Sequence, residues 1–119
     1  MAEGSTAAVA GTPATLRTIV AMAAAHPMDT ETMRVELDRV VGCGRLPTLD
    51  DRESLPYMQA FTQECLRVQP AAPVAGPHAV VRDDEYRGYR IPRGAIILPF
   101  QEAMNLDDGV FEDPLTFSP

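Results

Sequence analysis

The sequence predicts an α+β fold, mainly helical, in which helices come first and a small antiparallel sheet follows. Three observations carry that expectation. Apolar residues recur at helical spacing through residues 14–25, 27–41 and 55–69. Pro70, Pro73 and Pro77 then preclude a continuing helix and favour extended backbone. Beyond them, Ala95-Ile96-Ile97-Leu98 is an apolar, β-branched run of strand type.

Residues 1–13 are rich in small side chains without clear periodicity, and are expected to form a flexible N-terminal segment. Residues 14–119 are expected to form one unit, with helices to about residue 69 and a sheet and acidic loop over 70–119. The first helix spans 14–25, with Leu16, Ile19, Val20 and Ala23 along one stripe. Pro27 restarts the chain at a favourable first-turn position. Asp29 and Glu31 follow near that N-terminus, where the helix dipole favours acids. Met33, Leu37, Val40 and Val41 form the apolar face of this second helix, and Gly42 ends it. Residues 44–51 read as a linker. The third helix runs from Leu55 to about Gln69. In the second half, residues 79–82 form a short strand, 84–88 a turn and 89–91 the returning strand. Arg93-Gly94 turns again, residues 95–98 form the stronger strand, and a short helical turn lies near 101–105.

Composition excludes several functions. The chain has 119 residues, enough for one ordinary domain, and 45% are hydrophobic, so it is not compositionally disordered. A net charge of −7 argues against nucleic-acid partners and against docking on anionic lipid. The longest apolar run, residues 19–25, is far short of the ~20 residues a membrane span needs. No basic n-region marks a signal peptide, and Arg17 is the only basic residue before His26. Cys43 and Cys65 lie outside any redox or zinc motif, and His26 and His78 do not complete one.

The most informative stretch lies in the third helix, where Glu64 and Arg67 stand three residues apart ahead of Pro70. By spacing alone the pair is what many solvated helices carry. Turned at ~100° per residue, however, the helix places both on the face of Tyr57, Ala60, Phe61 and Val68. Gln59, Thr62, Gln63 and Gln69 lie opposite, interrupted by Leu55 and Leu66. Charges on an apolar stripe must be paired, so Glu64–Arg67 reads as a buried structural pair.

Leu55-Pro56-Tyr57 through Glu64-Cys65-Leu66-Arg67-Val68-Gln69-Pro70 resembles the Glu-x-x-Arg helix of the haem-thiolate cytochrome P-450 monooxygenases. His26-Pro27 and Val35-Glu36-Leu37-Asp38-Arg39-Val40-Val41-Gly42 resemble the preceding helix. Arg45-Leu46-Pro47-Thr48 and Asp51-Arg52-Glu53-Ser54 resemble the linker of fungal members. Pro77-His78-Ala79, Asp83 to Gly94, Ala103 to Asp107 and Phe111 to Pro119 resemble the family's small hairpin and the approach to its haem loop. The resemblance covers about Thr15 to Pro119. Glu-x-x-Arg alone is unspecific; these blocks in this order are specific.

The resemblance implies a partial cytochrome P-450 fold, a haem cofactor, a hydrophobic small-molecule substrate and an NADPH reductase as electron donor. It implies that Glu64 and Arg67 fix the haem-binding core together with a later Arg, and are not bond-making residues. It places His78 where a cationic side chain reaches a haem propionate, against the plain reading of a partly exposed His opening a strand. It places Ala71, Ala72, Pro73, Val74 and Ala75 where the substrate cavity is lined, against the plain reading of a connector. Thr12 matches the family's oxygen-activating Thr, but Gly11 stands where the acid belongs. Val68, Glu102 and Asp108 replace commoner residues. The family's iron-ligating Cys sits in a Phe-x-x-Gly-x-Arg-x-Cys loop, and no segment of these residues matches it.

The chain is therefore expected to be a monooxygenase fragment, inactive in isolation. Alternatives are a non-enzymatic truncated product or interaction module, and a small-molecule binder built on residues 71–75. Fungal relatives are held on the endoplasmic reticulum by an N-terminal helix; this chain alone is expected to be soluble and cytoplasmic.

Overall fold

The computed structural model describes residues 4–119, with side chains described from residue 11. Helix α1 spans Gly4–Ala25, beginning at Gly4 rather than at the expected Ala14, with Pro13 inside it. Proline in a helix interior removes one hydrogen bond, yet α1 continues through it. Of the segment expected to be flexible, Met1 to Glu3 lie outside the described residues. The covered stripe of α1 is also rotated from the expected one. Ala14, Thr15, Thr18, Ile19, Met22 and Ala23 are partly covered. Leu16 and Val20 instead face outward, 57% and 69% exposed. The small residues of the covered stripe turn toward the neighbouring helices, and Thr30 Oγ donates to the Ala23 carbonyl at 2.7 Å across that contact.

Helix α2, Pro27–Val40, has Pro27 in its first turn and Asp29 beside the positive dipole end. It ends as expected at Gly42, whose φ of +70° suits a residue without Cβ. Glu31 does not serve the first turn; it accepts two bonds from Arg34, at 2.6 and 2.9 Å, on the exposed side.

The expected linker is more ordered than its composition suggests. A 3-10 helix forms over Leu49–Ser54. Asp51 drives it: its carboxylate accepts the Thr48 backbone N–H at 2.8 Å and both outer nitrogens of Arg45 at 2.7 Å. Those bonds hold the Asp51 carboxyl well below the usual carboxylate range, the Arg45 guanidinium contributing most.

Helix α3, Pro56–Val68, agrees with the expected helix to within a residue at each end. Leu55 departs from its expected polar side and is 5% exposed. It is the non-helical N-cap residue, φ −118° and ψ 56°, so the helical wheel does not govern where it points.

The second half holds two small antiparallel pairs rather than one continuous sheet. Strand β1, His78–Ala79, pairs with β4, Ile96–Ile97, in the register His78 with Ile97 and Ala79 with Ile96. Val80 N–H donates to the Ala95 carbonyl at 2.9 Å and extends the pairing. Strands β2, Asp84–Tyr86, and β3, Tyr89–Ile91, form a hairpin between them. The expected turn over 84–88 shrinks to Arg87-Gly88, with φ of 52° and 81°. Two positive φ values are what a tight hairpin turn requires to match strand twist. Helix α4, Gln101–Asn105, forms where the short turn was expected.

Helices α1, α2 and α3 pack on one another, and α4 packs on α3. Among the described residues only Leu55, Phe61 and Cys65 are buried apolar side chains. The chain exposes 9241 Å², where a folded monomer of this mass exposes about 6,300 Å². Its radius of gyration is 18.6 Å, against about 13 Å for a compact chain of 100 residues. Helix faces and strands are formed, but much of their surface is uncovered.

Candidate functional site

Glu64 and Arg67 occupy the last two turns of α3, which present them to the irregular segment after α4. The Arg67 guanidinium has five N–H donors, and all five are engaged. Nε and Nη2 each donate to the Glu64 carboxylate at 2.7 Å, a two-pronged pair. Nη1 donates to the Asn105 carbonyl at 3.0 Å and the Pro114 carbonyl at 2.8 Å. Nη2 also donates to the Thr116 carbonyl at 3.1 Å. Asn105 returns a bond from its side-chain amide to the Arg67 carbonyl at 3.1 Å. The Phe111 ring lies 5.2 Å from the guanidinium carbon. Glu64 further accepts the Ser118 backbone N–H at 3.0 Å. One ion pair thus fixes four points of the chain between residues 105 and 118 against α3.

The sequence predicts a buried pair, whereas the structure leaves it slightly exposed. Its side chains are 11% and 13% exposed, and the pair borders an open depression of about 400 Å³ lined by Phe111, Glu112, Asp113 and Thr116. The carboxyl of Glu64 is held below its ordinary value, chiefly by Arg67, with the Ser118 N–H adding to it. Arg67 is shifted up in turn by Glu64. The hydrogen bonds make the pair a clamp, and both shifts favour its charged forms.

The other expected site residues do not join this cluster. His78 is exposed at the start of β1, opposite Ile97. Ala71, Ala72, Pro73 and Val74 are exposed and Ala75 is half-covered. Their segment is tied down by backbone, with Ala75 N–H on the Pro99 carbonyl at 2.9 Å and Glu102 N–H on the Pro73 carbonyl at 3.1 Å. Thr12 lies within α1, beside Gly11 and Pro13.

The two cysteines differ in environment. Cys65 is fully buried, and burial pushes its thiol up to about 11, with the neighbouring Glu64 adding to the shift. Burial thus keeps it as a packed thiol. Cys43 is exposed in the loop after α2. Among the described residues no cluster of His, Cys, Asp or Glu could hold a metal ion. The expected labelling result follows: a thiol reagent modifies Cys43 at once and Cys65 only after denaturant is added. Prompt reaction of two thiols in native buffer would contradict the packing of Cys65.

Sequence reasoning missed Asn105, Ser118 and the carbonyls of Pro114 and Thr116, since backbone acceptors leave no mark in a sequence. It also missed the ring of His26, 4.3 Å from that of Phe117, which meets Phe61 edge-on at 5.2 Å.

The family model described as "Cytochrome P450" matches residues 2–119. Echilunin cytochrome P450 monooxygenase from Aspergillus ruber is 48% identical over 104 residues, covering 87% of this chain and 20% of the relative. Fumitremorgin C synthase from Neosartorya fischeri is 47% identical over the same length, with the same coverage. A solved zebrafish cytochrome P450 with progesterone superposes with a TM-score of 0.86 at 32% identity, covering 91% of this chain and 26% of that one. The chain spans about one fifth of the length of the curated relatives it matches.

Proposed function

This chain belongs to the cytochrome P450 family, and on that premise we propose that residues 1–119 supply the buttress of a haem-binding core rather than a complete catalyst. The observation that carries the reading is Arg67, three of whose five N–H donors hold Asn105, Pro114 and Thr116 against α3 while the other two grip Glu64. In the whole protein the activity would be a monooxygenase reaction on a hydrophobic organic substrate, with electrons from an NADPH reductase. Haem supplies the oxygen chemistry of such enzymes. The residues present do not fit its iron, because Cys65 is buried on α3 and Cys43 lies in an exposed loop outside any ligand cluster among the described residues, so no reaction step is assigned to them. His78, being exposed, is free to donate to a haem propionate. The small apolar run Ala71 to Ala75 would line the substrate side. Among the described residues no helix is long and apolar enough to cross a membrane.

The reading is tested on the purified 119-residue chain with added haem, reductase and NADPH. The expected result is no thiolate-ligated haem spectrum and no substrate hydroxylation. Turnover by this chain alone would overturn it. A second reading, an interaction module without enzyme activity, is favoured by the exposure of Val81 at 83%, Ile96 at 69% and Leu98 at 58%. A monodisperse, cooperatively melting chain that captures a protein partner with these residues would favour it.

A further inference from the structure

We infer that Glu36 is a positioning residue, which sets the direction of α3 and through it the Glu64–Arg67 clamp. The proposal rests on the buttress reading for the clamp's purpose, but not for its geometry.

The inner face of α2 is not purely apolar. Asp29, Met33, Glu36, Leu37 and Val40 share it, and all are partly covered. A carboxylate on such a face is tolerated only when hydrogen-bonded. Glu36 is: its Oε1 accepts the Tyr57 backbone N–H and its Oε2 the Met58 N–H, both at 3.0 Å. Those are first-turn donors with no partner inside their own helix. Helix α3 has no cap of its own, since its N-cap residue Leu55 carries no side-chain oxygen. Pro56 in the first position has no N–H, and the Gln59 N–H already reaches the Leu55 carbonyl at 3.1 Å. The donors of that turn are thus fully accounted for only if Glu36, from another helix, supplies both missing acceptors. A carboxylate there also meets the positive end of the helix dipole. Asp29 adds a second grip, accepting the Tyr57 hydroxyl at 2.7 Å. Two acids two turns apart on α2 therefore hold one end of α3 by three bonds.

The leverage is geometric. Arg67 lies nine residues beyond Met58, about 13 Å along the helix. A tilt of ~10° at the N-terminus would move the guanidinium by about 2 Å, enough to break bonds that fail beyond ~3.5 Å. Glu36 touches neither Glu64 nor Arg67, so its effect on them has to pass through the orientation of α3.

Amide hydrogen exchange by NMR on the 119-residue chain tests this without haem, so it stands or falls separately from the buttress reading. In Glu36→Ala, exchange at Tyr57 and Met58 should rise by roughly tenfold or more, as expected for losing a bond to a charged acceptor. The Asn105 side-chain N–H, donated to the Arg67 carbonyl, and the Ser118 N–H, donated to Glu64, should exchange faster as well, because both bonds run between α3 and the chain beyond it. Glu36→Gln, which keeps one acceptor oxygen, should give partial protection and serves if the Ala variant unfolds. Arg34→Ala, on the exposed side of α2, should change none of the four signals. Random-coil exchange at Tyr57 and Met58 in the unaltered chain would overturn the proposal. So would a Glu36 variant that frees those two amides and leaves Asn105 and Ser118 unchanged, since Glu36 would then be a cap and nothing more.

Discussion

Replacing Arg67 with Ala is expected to cost about 3 kcal/mol of stability, the lower end of what breaking a buried pair costs. In urea that is a fall in midpoint of about 1–2 M for a chain of this size. The magnitude follows from what is left behind. Glu64 would keep its charge at 11% exposure without its partner, and the carbonyls of Asn105, Pro114 and Thr116 would each lose a donor. The openness of the depression beside the pair lets water repay part of this, which keeps the estimate from the upper end. Arg67→Lys should recover little, because an ammonium offers three donors and no planar fork. The pH dependence has a definite sign. The Glu64 carboxyl is depressed in the folded chain, so its contribution is fully present above the unfolded carboxylate value. It is lost as pH falls through the lower, folded value. Acid should therefore destabilise the unaltered chain more than Arg67→Ala or Glu64→Gln, whose acid limbs should be flatter. An Arg67→Ala chain with an unchanged urea midpoint and acid limb would show that the clamp is decorative.

The legible parts of this fold were those written in local chemistry. Pro27, Gly42, Pro56 and Pro70 bound two helices to within a residue or two, because proline and glycine act on the backbone directly. Glu64–Arg67 was legible as a pair because its spacing and stripe coincide. Its partners were not, since three of them are backbone carbonyls, that of Asn105 at the end of α4 and those of Pro114 and Thr116 in irregular chain. The stripe of α1 was misjudged for a different reason: hydrophobic periodicity marks Leu16 and Val20, but the packed face is the one whose smaller residues turn toward α2 and α3. Leu55 escaped because it caps α3 from outside the helical geometry. Glu36 escaped because an acid on an apolar face reads as an error until the uncapped helix it serves is seen across the interface.

Phe61→Ala is expected to abolish cooperative unfolding altogether. Phe61 is fully buried, and it meets Phe117 edge-on, which in turn lies against His26. Those three rings join α3, the C-terminal segment and the junction of α1 with α2. Truncating a buried Phe typically costs ~3–5 kcal/mol, through lost transfer energy and the cavity left behind. A larger domain would absorb that. Here the only other buried apolar side chains among the described residues are Leu55 and Cys65, so little core remains to hold the helices together. Phe61→Leu, which fills most of the space, should retain a transition at a lower midpoint. Leu49→Ala, at a residue 90% exposed, should shift stability by no more than ~0.5 kcal/mol. Circular dichroism against urea distinguishes the three variants. If Phe61→Ala melts as cooperatively as the unaltered chain, the stabilising contacts lie elsewhere. The outward faces of α1 and β4 would then be the place to look, and a melting temperature that rises with chain concentration would show that a second copy covers them.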